Sequence, residues 1–429
     1  MKILLANYRY FISGGPERYM FNLLSQLEKQ QHEIIPFSID YSQNLTSKYK
    51  KYFVSPIGKK EQIYYDQHSK SLSILLKTIS RLFYSNEVEK AVSRIIEATT
   101  PDVAYVLHYL RKLSPSLLVG LKKKNIPIIV RLSDYAMICP QGHCIKNDLS
   151  CTLCIHGALL PSITNRCLKN SLPISMLNAL ATIYHRSKRY FDLIDNYVCT
   201  NMYMYKMMLD AGYPDNKLTC IPTFTDISHF KPANEYKKSN YIVYSGRLDH
   251  LKGIHVLINA LGMLKNKEFK NIQLKIAGTG DFRYVQQCEE MVKKNGLRTH
   301  IEFLGNIDSI QLATLLSKAI FSVVPSLWFE NLPNVIIESY ACGTPVIASN
   351  IGSLSDCIHD YKTGFLFKPG DSEDLAKKVS FCLDNENLLH NMALNARREA
   401  EAKYAPSVHI ESLLNLFKKY IHKKNGRSF

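Results

Sequence analysis

Short apolar runs alternate with amphipathic stretches along most of this chain. Lys2-Ile-Leu-Leu-Ala6 reads as a buried β-strand. The turn Ser13-Gly-Gly-Pro-Glu-Arg18 follows, and then Tyr19, Met20, Leu23, Leu24 and Leu27 fall on one face of a helix. The same opening recurs at Tyr241-Ile-Val-Tyr244. There the turn is Ser245-Gly-Arg-Leu248 with Lys252-Gly253, and the helix carries Ile254, Leu257, Ile258 and Leu261. Further strands are predicted at 102–107, 126–132 and 196–200 in the first half and at 273–277, 301–304, 319–324 and 346–349 in the second.

Strands that alternate with helices imply parallel sheets covered on both faces. The expected fold class is therefore α/β, with two Rossmann-like doubly wound domains facing each other across a cleft. Periodicity breaks at Ile221-Pro-Thr-Phe-Thr-Asp-Ile-Ser-His-Phe-Lys-Pro232, where prolines and turn formers cluster. The expected boundaries are 1–225 for an acceptor-binding domain with a Cys-rich insertion at about 139–167, 226–404 for a donor-binding domain, and 405–429 for a helix placed to cross back to the first domain. Open parallel sheets bind ligands at the carboxyl ends of their strands, which puts the site in the cleft.

Composition adds limits. With 429 residues, 46% apolar and 21% charged, the chain is neither disordered nor fibrous and has material for two or three cores. The longest apolar stretch, 172–184, is interrupted by Ser175, Asn178 and Thr182, so no spanning helix is expected. The run Met1 to Ala6 is too short for a secretory signal, which points to the cytoplasm. The formal charge is +17; residues 1–200 hold 26 Lys+Arg against 14 Asp+Glu, so most of the excess lies in the first half. That half should attract anionic partners.

The segment from Val323 to Ser349 carries the most chemistry. Glu330 falls in a loop after a strand, Pro333 suits a first helical turn, Glu338 lies on the helix and Gly343 ends it. On one continuous helix, residues eight apart would diverge by about 80° at 100° per residue, so two carboxylates sharing a site require this loop-then-helix arrangement. Between them, the backbone amides of Leu332 to Val335, with the side chains of Asn331 and Asn334 alongside, form a helix N-terminus suited to a phosphate. Arg247 and Lys252 lie at the carboxyl end of the second domain's first strand and reach the same cleft. Fixed cations and helix-end amides there would stabilise the charge released when a sugar leaves a nucleoside diphosphate.

Glu330 and Glu338 at this spacing, Gly246-Arg247 with Lys252-Gly253, Ala277-Gly-Thr-Gly280, Phe303-Leu-Gly305 and the opening Gly14-Gly15 together resemble family 4 glycosyltransferases of the GT-B fold. The resemblance covers nearly the whole chain. It implies that Glu338 binds the nucleotide ribose, Glu330 the hydroxyls of the donor sugar, Arg247 and Lys252 the diphosphate, and backbone near Gly280 and Asn306 the base. It also implies a UDP- or GDP-sugar donor, retention of anomeric configuration and no catalytic divalent metal. Many members carry His-Asp where this chain has Ser133-Asp134, and His108 is the substitute candidate.

Two features fall outside that pattern. Cys139, Cys144, Cys151 and Cys154, with Cys167 nearby, have a spacing compatible with a structural zinc. Residues 72–83 and 172–191 are amphipathic and basic, as expected of helices on an anionic membrane face. The acceptor expected is a glycan, best a lipid-linked saccharide of bacterial surface polysaccharide assembly. The alternatives are a sugar-nucleotide epimerase on the same fold and a basic nucleic-acid-binding protein with a zinc-stabilised insert. The last leaves Glu330 and Glu338 unused, and their charge would repel a phosphate backbone, so nucleic acid is not an expected partner.

Overall fold

The computed structural model describes all residues except 64–66, 68–70, 234–238, 265–271, 425 and 427–429. The first half runs β1 (Lys2–Ala6), α1 (Gly15–Lys29), β2 (Glu33–Phe37), α2 (Leu72–Phe83), α3 (Asn86–Thr99), β3 (Val103–Val106), α4 (Ser116–Lys123) and β4 (Ile128–Arg131). After a small hairpin, β5 (Ile145–Lys146) with β6 (Leu149–Ser150), come α5 (Leu160–Thr164), α6 (Leu172–Ser187), β7 (Asn196–Cys199), α7 (Met202–Asp210) and β8 (Leu218–Cys220). The second half runs β9 (Tyr241–Ser245), α8 (Ile254–Leu264), β10 (Gln273–Ala277), α9 (Phe282–Lys294), β11 (Ile301–Gly305), α10 (Ser309–Lys318), β12 (Ser322–Val324), α11 (Asn334–Ala341), β13 (Val346–Ser349), α12 (Ser353–Cys357), β14 (Gly364–Phe367), α13 (Ser372–Leu383), α14 (Glu386–Lys403) and α15 (Pro406–Lys424).

These strands make two six-stranded sheets, ordered β2-β1-β3-β4-β7-β8 and β11-β10-β9-β12-β13-β14, with every pairing parallel. The doubly wound architecture of two Rossmann-like domains is thus as the sequence predicts. Each sheet is covered on both faces by its own apolar clusters, which is why the strand interiors read as unbroken apolar runs.

The strand orders locate the site. Winding reverses direction between β1 and β3 in the first sheet and between β9 and β12 in the second, and a crevice opens at each reversal. Gly14 and Gly15 follow β1, Arg247 and Lys252 follow β9, and Glu330 follows β12. The two crevices face each other.

The last helix, α15, packs on the first domain. Its Leu413, Phe417 and Tyr420 join Leu23, Tyr105 and Val198 in one apolar cluster, and His409 meets the Tyr19 hydroxyl at 2.9 Å and the Pro222 carbonyl at 2.6 Å. Near the hinge, the Thr225 amide donates to the Tyr404 carbonyl at 3.0 Å.

Candidate active site

Residues from both domains line one cleft of about 630 Å³, a size suited to a nucleotide-sized ligand. From the first domain come Gly14, Gly15, Arg18, Tyr19, Arg131, Ser133 and Thr223. From the second come Arg247, Lys252, Asn306, Glu330, Asn331, Leu332, Asn334, Val335 and Glu338. Two helices begin at this cleft, α1 at Gly15 and α11 at Asn334, and a Cβ on Gly15 would lie 3.6 Å from Asn334 Nδ2. Two positive helix ends therefore converge, each equivalent to about half an elementary charge.

The loop after β12 holds Glu330 in a tight cage. Lys252 Nζ donates to its Oε1 at 2.6 Å, and Ser326 Oγ and Trp328 Nε1 each donate to the same oxygen at 2.8 Å. Burial alone would raise this carboxyl, but Lys252 and the two hydrogen bonds outweigh it and hold it below the usual carboxylate range. Glu330 is therefore ionised and fixed in place. The same loop is fastened to the first domain: Tyr135 Oη donates to the Glu330 carbonyl at 3.2 Å, Asn331 Nδ2 donates to the Leu132 carbonyl at 3.2 Å, and Thr200 and Asn201 donate to Asn331.

Glu338 differs. It is 6% exposed, and burial pushes its carboxyl up to about 7, with Arg18 across the cleft only partly offsetting that cost. Near neutral pH it is poised between its two forms, and a ligand hydroxyl donating to it would favour the charged one. Arg247, by contrast, is 63% exposed in its side chain and meets Asp249 at 3.4 Å.

Two cations of the cleft, Arg18 and Arg131, were not singled out by sequence reasoning, and Arg131 is the more deeply placed. Arg131, at the end of β4, is buried in the cleft floor, stacked 3.9 Å from the Tyr19 ring centroid, with Nη1 on Ser133 Oγ at 2.8 Å and Nη2 on Thr223 Oγ1 at 2.7 Å. Among the described residues no carboxylate pairs with it, and Nε lacks a partner. Its only sequence signal was a charge closing an apolar strand.

Two predicted site residues lie off the cleft lining, and one metal expectation is not supported. His108 does not line the cleft: it turns toward Asp134, with Nε2 to Oδ2 at 3.7 Å, and burial lowers its pKa. Gly280 also stays out of the cleft lining. It bridges to Leu248, and a Cβ there would lie 1.8 Å from the Leu248 carbonyl oxygen; the adjoining Gly278 and Thr279 line the cleft together with Asn306. The zinc expected at Cys139, Cys144, Cys151 and Cys154 is not supported, because among the described residues no group of three or more His, Cys, Asp or Glu is arranged to hold a metal ion. These cysteines and Cys167 line a small cavity as free thiols. The Cys144 thiol hydrogen-bonds to Cys139, and with the backbone amides of Gly142, Cys144 and Gln141 it draws the Cys139 thiol down to about 5 despite burial.

Comparison with known proteins gives the family and fold this chain is similar to. Residues 226–399 match the family described as glycosyl transferases, group 1. The match spans Arg247, Lys252, Glu330 and Glu338. An uncharacterized glycosyltransferase of Methanocaldococcus jannaschii, MJ1178, is 25% identical over 92% of both chains. A Campylobacter jejuni alpha-1,4-N-acetyl-D-galactosaminyltransferase, whose name specifies a diNAcBac-PP-undecaprenol-linked substrate, is 31% identical over 39% of this chain and 45% of its own. In such shorter alignments the chain spans less than half the relative's length. Among solved structures, Anabaena HepE in complex with UDP superposes with a TM-score of 0.68 at 17% identity, covering 98% of this chain and 100% of the other. The fold is therefore GT-B, and sequence and structure together support a glycosyltransferase.

Proposed function

We propose that this protein transfers a sugar from a nucleoside diphosphate donor, a UDP- or GDP-sugar, to a hydroxyl of a glycan acceptor, with retention of configuration. The observation that carries the reading is the caged Glu330–Lys252 pair beside the converging N-termini of α1 and α11. In this reading Arg247, Lys252 and the two helix ends surround the diphosphate, Glu330 accepts from hydroxyls of the donor sugar, Glu338 accepts from the ribose, and Asn306 and the Gly278-Thr279 backbone meet the base. Breaking the bond from the anomeric carbon to the β-phosphate oxygen leaves that oxygen's electron pair on the diphosphate. Fixed cations and amides stabilise it without having to reorient. The acceptor's proton passes to the leaving phosphate as the new glycosidic bond forms on the same face, so no strong side-chain base and no catalytic metal is assigned a step.

The acceptor proposed is a lipid-linked saccharide of bacterial surface polysaccharide assembly, handled at the cytoplasmic face of the membrane. The Campylobacter relative's undecaprenol-linked substrate and a capsular polysaccharide biosynthesis glycosyltransferase of Staphylococcus aureus, 24% identical over 44% of this chain, support that choice. The test is a thermal-shift and nucleotide-release panel of UDP-, GDP- and ADP-sugars with and without lipid-linked acceptors. Acceptor-dependent nucleotide release is expected. Conversion of a UDP-sugar without acceptor would establish an epimerase, and stabilisation by nucleic acid but by no nucleotide sugar would overturn the transferase reading.

A further inference from the structure

Two helices of the first domain are packed inside out. In α2 the only buried side chain is Arg81, 1% exposed, which donates to the Ser55 carbonyl at 2.9 Å and pairs with Glu87 at 3.0 Å. Its leucines point outward, with Leu72 at 71% and Leu76 at 59% exposure and Leu75 between them also exposed. In α6 the inward face holds Ser175, Asn178 and His185 along with two alanines, while Leu172, Ile174, Met176, Leu180 and Ile183 face out. The two helices lie side by side: His185 Nε2 meets the Leu82 carbonyl at 2.8 Å, and the Phe83 and Tyr184 rings are 5.6 Å apart. The nearby Leu153 and Leu160 are exposed as well. An apolar surface of this extent on a water-facing wall marks a binding face.

Charge identifies what binds there. Exposed cations flank the face: Arg166, Lys169, Lys188 and Arg189 lie within residues 149–191, which hold no Asp or Glu, whereas Lys77 and Arg81 of α2 are paired with Glu87. A second copy docking by two-fold symmetry would set these cations against themselves. An anionic bilayer takes both the leucines and the cations, the chains entering the headgroup boundary while each Lys or Arg is drawn to the negative surface. The buried side of α6 ties this helix to the cleft wall. Asn178 of α6 donates to the Pro140 carbonyl at 2.9 Å, and His143, three residues on, lies 5.7 Å from the ring of Trp328, which caps Glu330.

We infer that the exposed apolar face of α2 and α6 seats this protein on an anionic lipid bilayer, in the plane of the headgroups, with the cleft opening beside it. This deepens the membrane-acceptor part of the function proposed above and rests on it only for the placement of the acceptor. A lipid-linked substrate would then keep its lipid in the bilayer while its saccharide enters past His143.

The test is flotation of the full chain with phosphatidylcholine vesicles and with vesicles containing phosphatidylglycerol, at low and high salt. Binding is expected to phosphatidylglycerol vesicles, at least tenfold stronger than to phosphatidylcholine alone and weakened by salt. Leu75→Glu with Leu76→Glu, and separately Leu180→Glu with Ile183→Glu, should each cut flotation at least tenfold while leaving the melting temperature and the UDP-induced thermal shift unchanged. Unchanged flotation in both variants overturns the inference, as does equal binding to neutral vesicles. A wild-type dimer without lipid that either variant dissociates would overturn it in favour of self-association, and stronger capture by RNA than by vesicles would overturn it in favour of nucleic acid. Wild-type protein that shows the nucleotide shift but does not float refutes this inference alone; wild-type protein that floats without a nucleotide shift refutes only the catalytic reading.

Discussion

Glu338→Gln isolates the electrostatic cost built into the nucleotide side of the cleft. The carboxyl titrates at about 7 in the folded protein against an ordinary 4.5, so the folded state holds this proton more tightly than the unfolded chain. Folding stability from this group is complete below about pH 4.5, falls as the pH rises through the window up to about 7, and by pH 8 roughly 3 kcal/mol has been lost. Glutamine cannot ionise and fills nearly the same space. The variant should match wild type at pH 4.5 and exceed it by about 2 to 3 kcal/mol at pH 8. The assay is urea unfolding between pH 4.5 and 8, followed by fluorescence of Trp328, the chain's single tryptophan, which reports on the second domain. The same substitution removes a charged acceptor for donor hydroxyls and should weaken UDP binding about 10- to 100-fold at pH 8. Parallel stability curves for the two proteins across this pH range would refute the reasoning, because the carboxyl would then titrate alike folded and unfolded.

Lys252→Ala should lower turnover by about 10²- to 10³-fold and destabilise the fold by about 3 to 5 kcal/mol, since Glu330 is left as a buried charge without its cation. Adding Glu330→Gln should restore much of the stability in urea titrations but none of the turnover. Arg247→Ala should shift stability by less than about 1 kcal/mol, its Asp249 pair being solvent-exposed, yet reduce donor affinity in nucleotide titrations. Gly253→Ala should cost about 3 kcal/mol or more in thermal unfolding, because φ is +71° and the new Cβ would fall 1.8 Å from the Pro325 carbonyl oxygen. Arg131→Met, which exchanges a buried cation for an apolar chain of similar length, should keep the melting temperature within a few degrees while weakening binding of anionic ligands to the first domain's side of the cleft.

The strands at 273–277 and 346–349 fall where the pattern puts them: 346–349 is buried throughout, and 273–277 keeps Leu274, Ile276 and Ala277 buried around Lys275. Of the strands that escaped, β2, β8 and β14 are edges of the two large sheets, and β5 and β6 form the separate short hairpin. Burial is not the cause, since four of the five residues of β2 are buried; an edge tolerates a breaker such as Pro36 inside the strand, and the breaker interrupts the signal. Much the same division holds at the cleft. Arg247, Lys252, Glu330 and Glu338 sit in turns and a helix start whose Gly and Pro punctuation gives their geometry away. Arg18 and Arg131 do not, because a charge at a helix start or a strand end has the same local sequence whether it faces solvent or a ligand. Residues 72–83 read as amphipathic from spacing alone, but spacing cannot say which face turns inward. Only the Arg81–Glu87 contact across the sequence decides it.

The seating of α15 has a consequence for synthesis. The wall of the first domain around Tyr105 and Val198 stays open until a helix made roughly 190 residues after β8 arrives, which at about 5 to 20 residues per second is a wait of about 10 to 40 s. During that interval the second domain can form on the ribosome from its own contiguous segment, whereas the first stands with a greasy flank exposed. The half that emerges first is thus completed last, and a chain interrupted before residue 406 leaves a partly folded amino-terminal body for chaperones or proteases to claim.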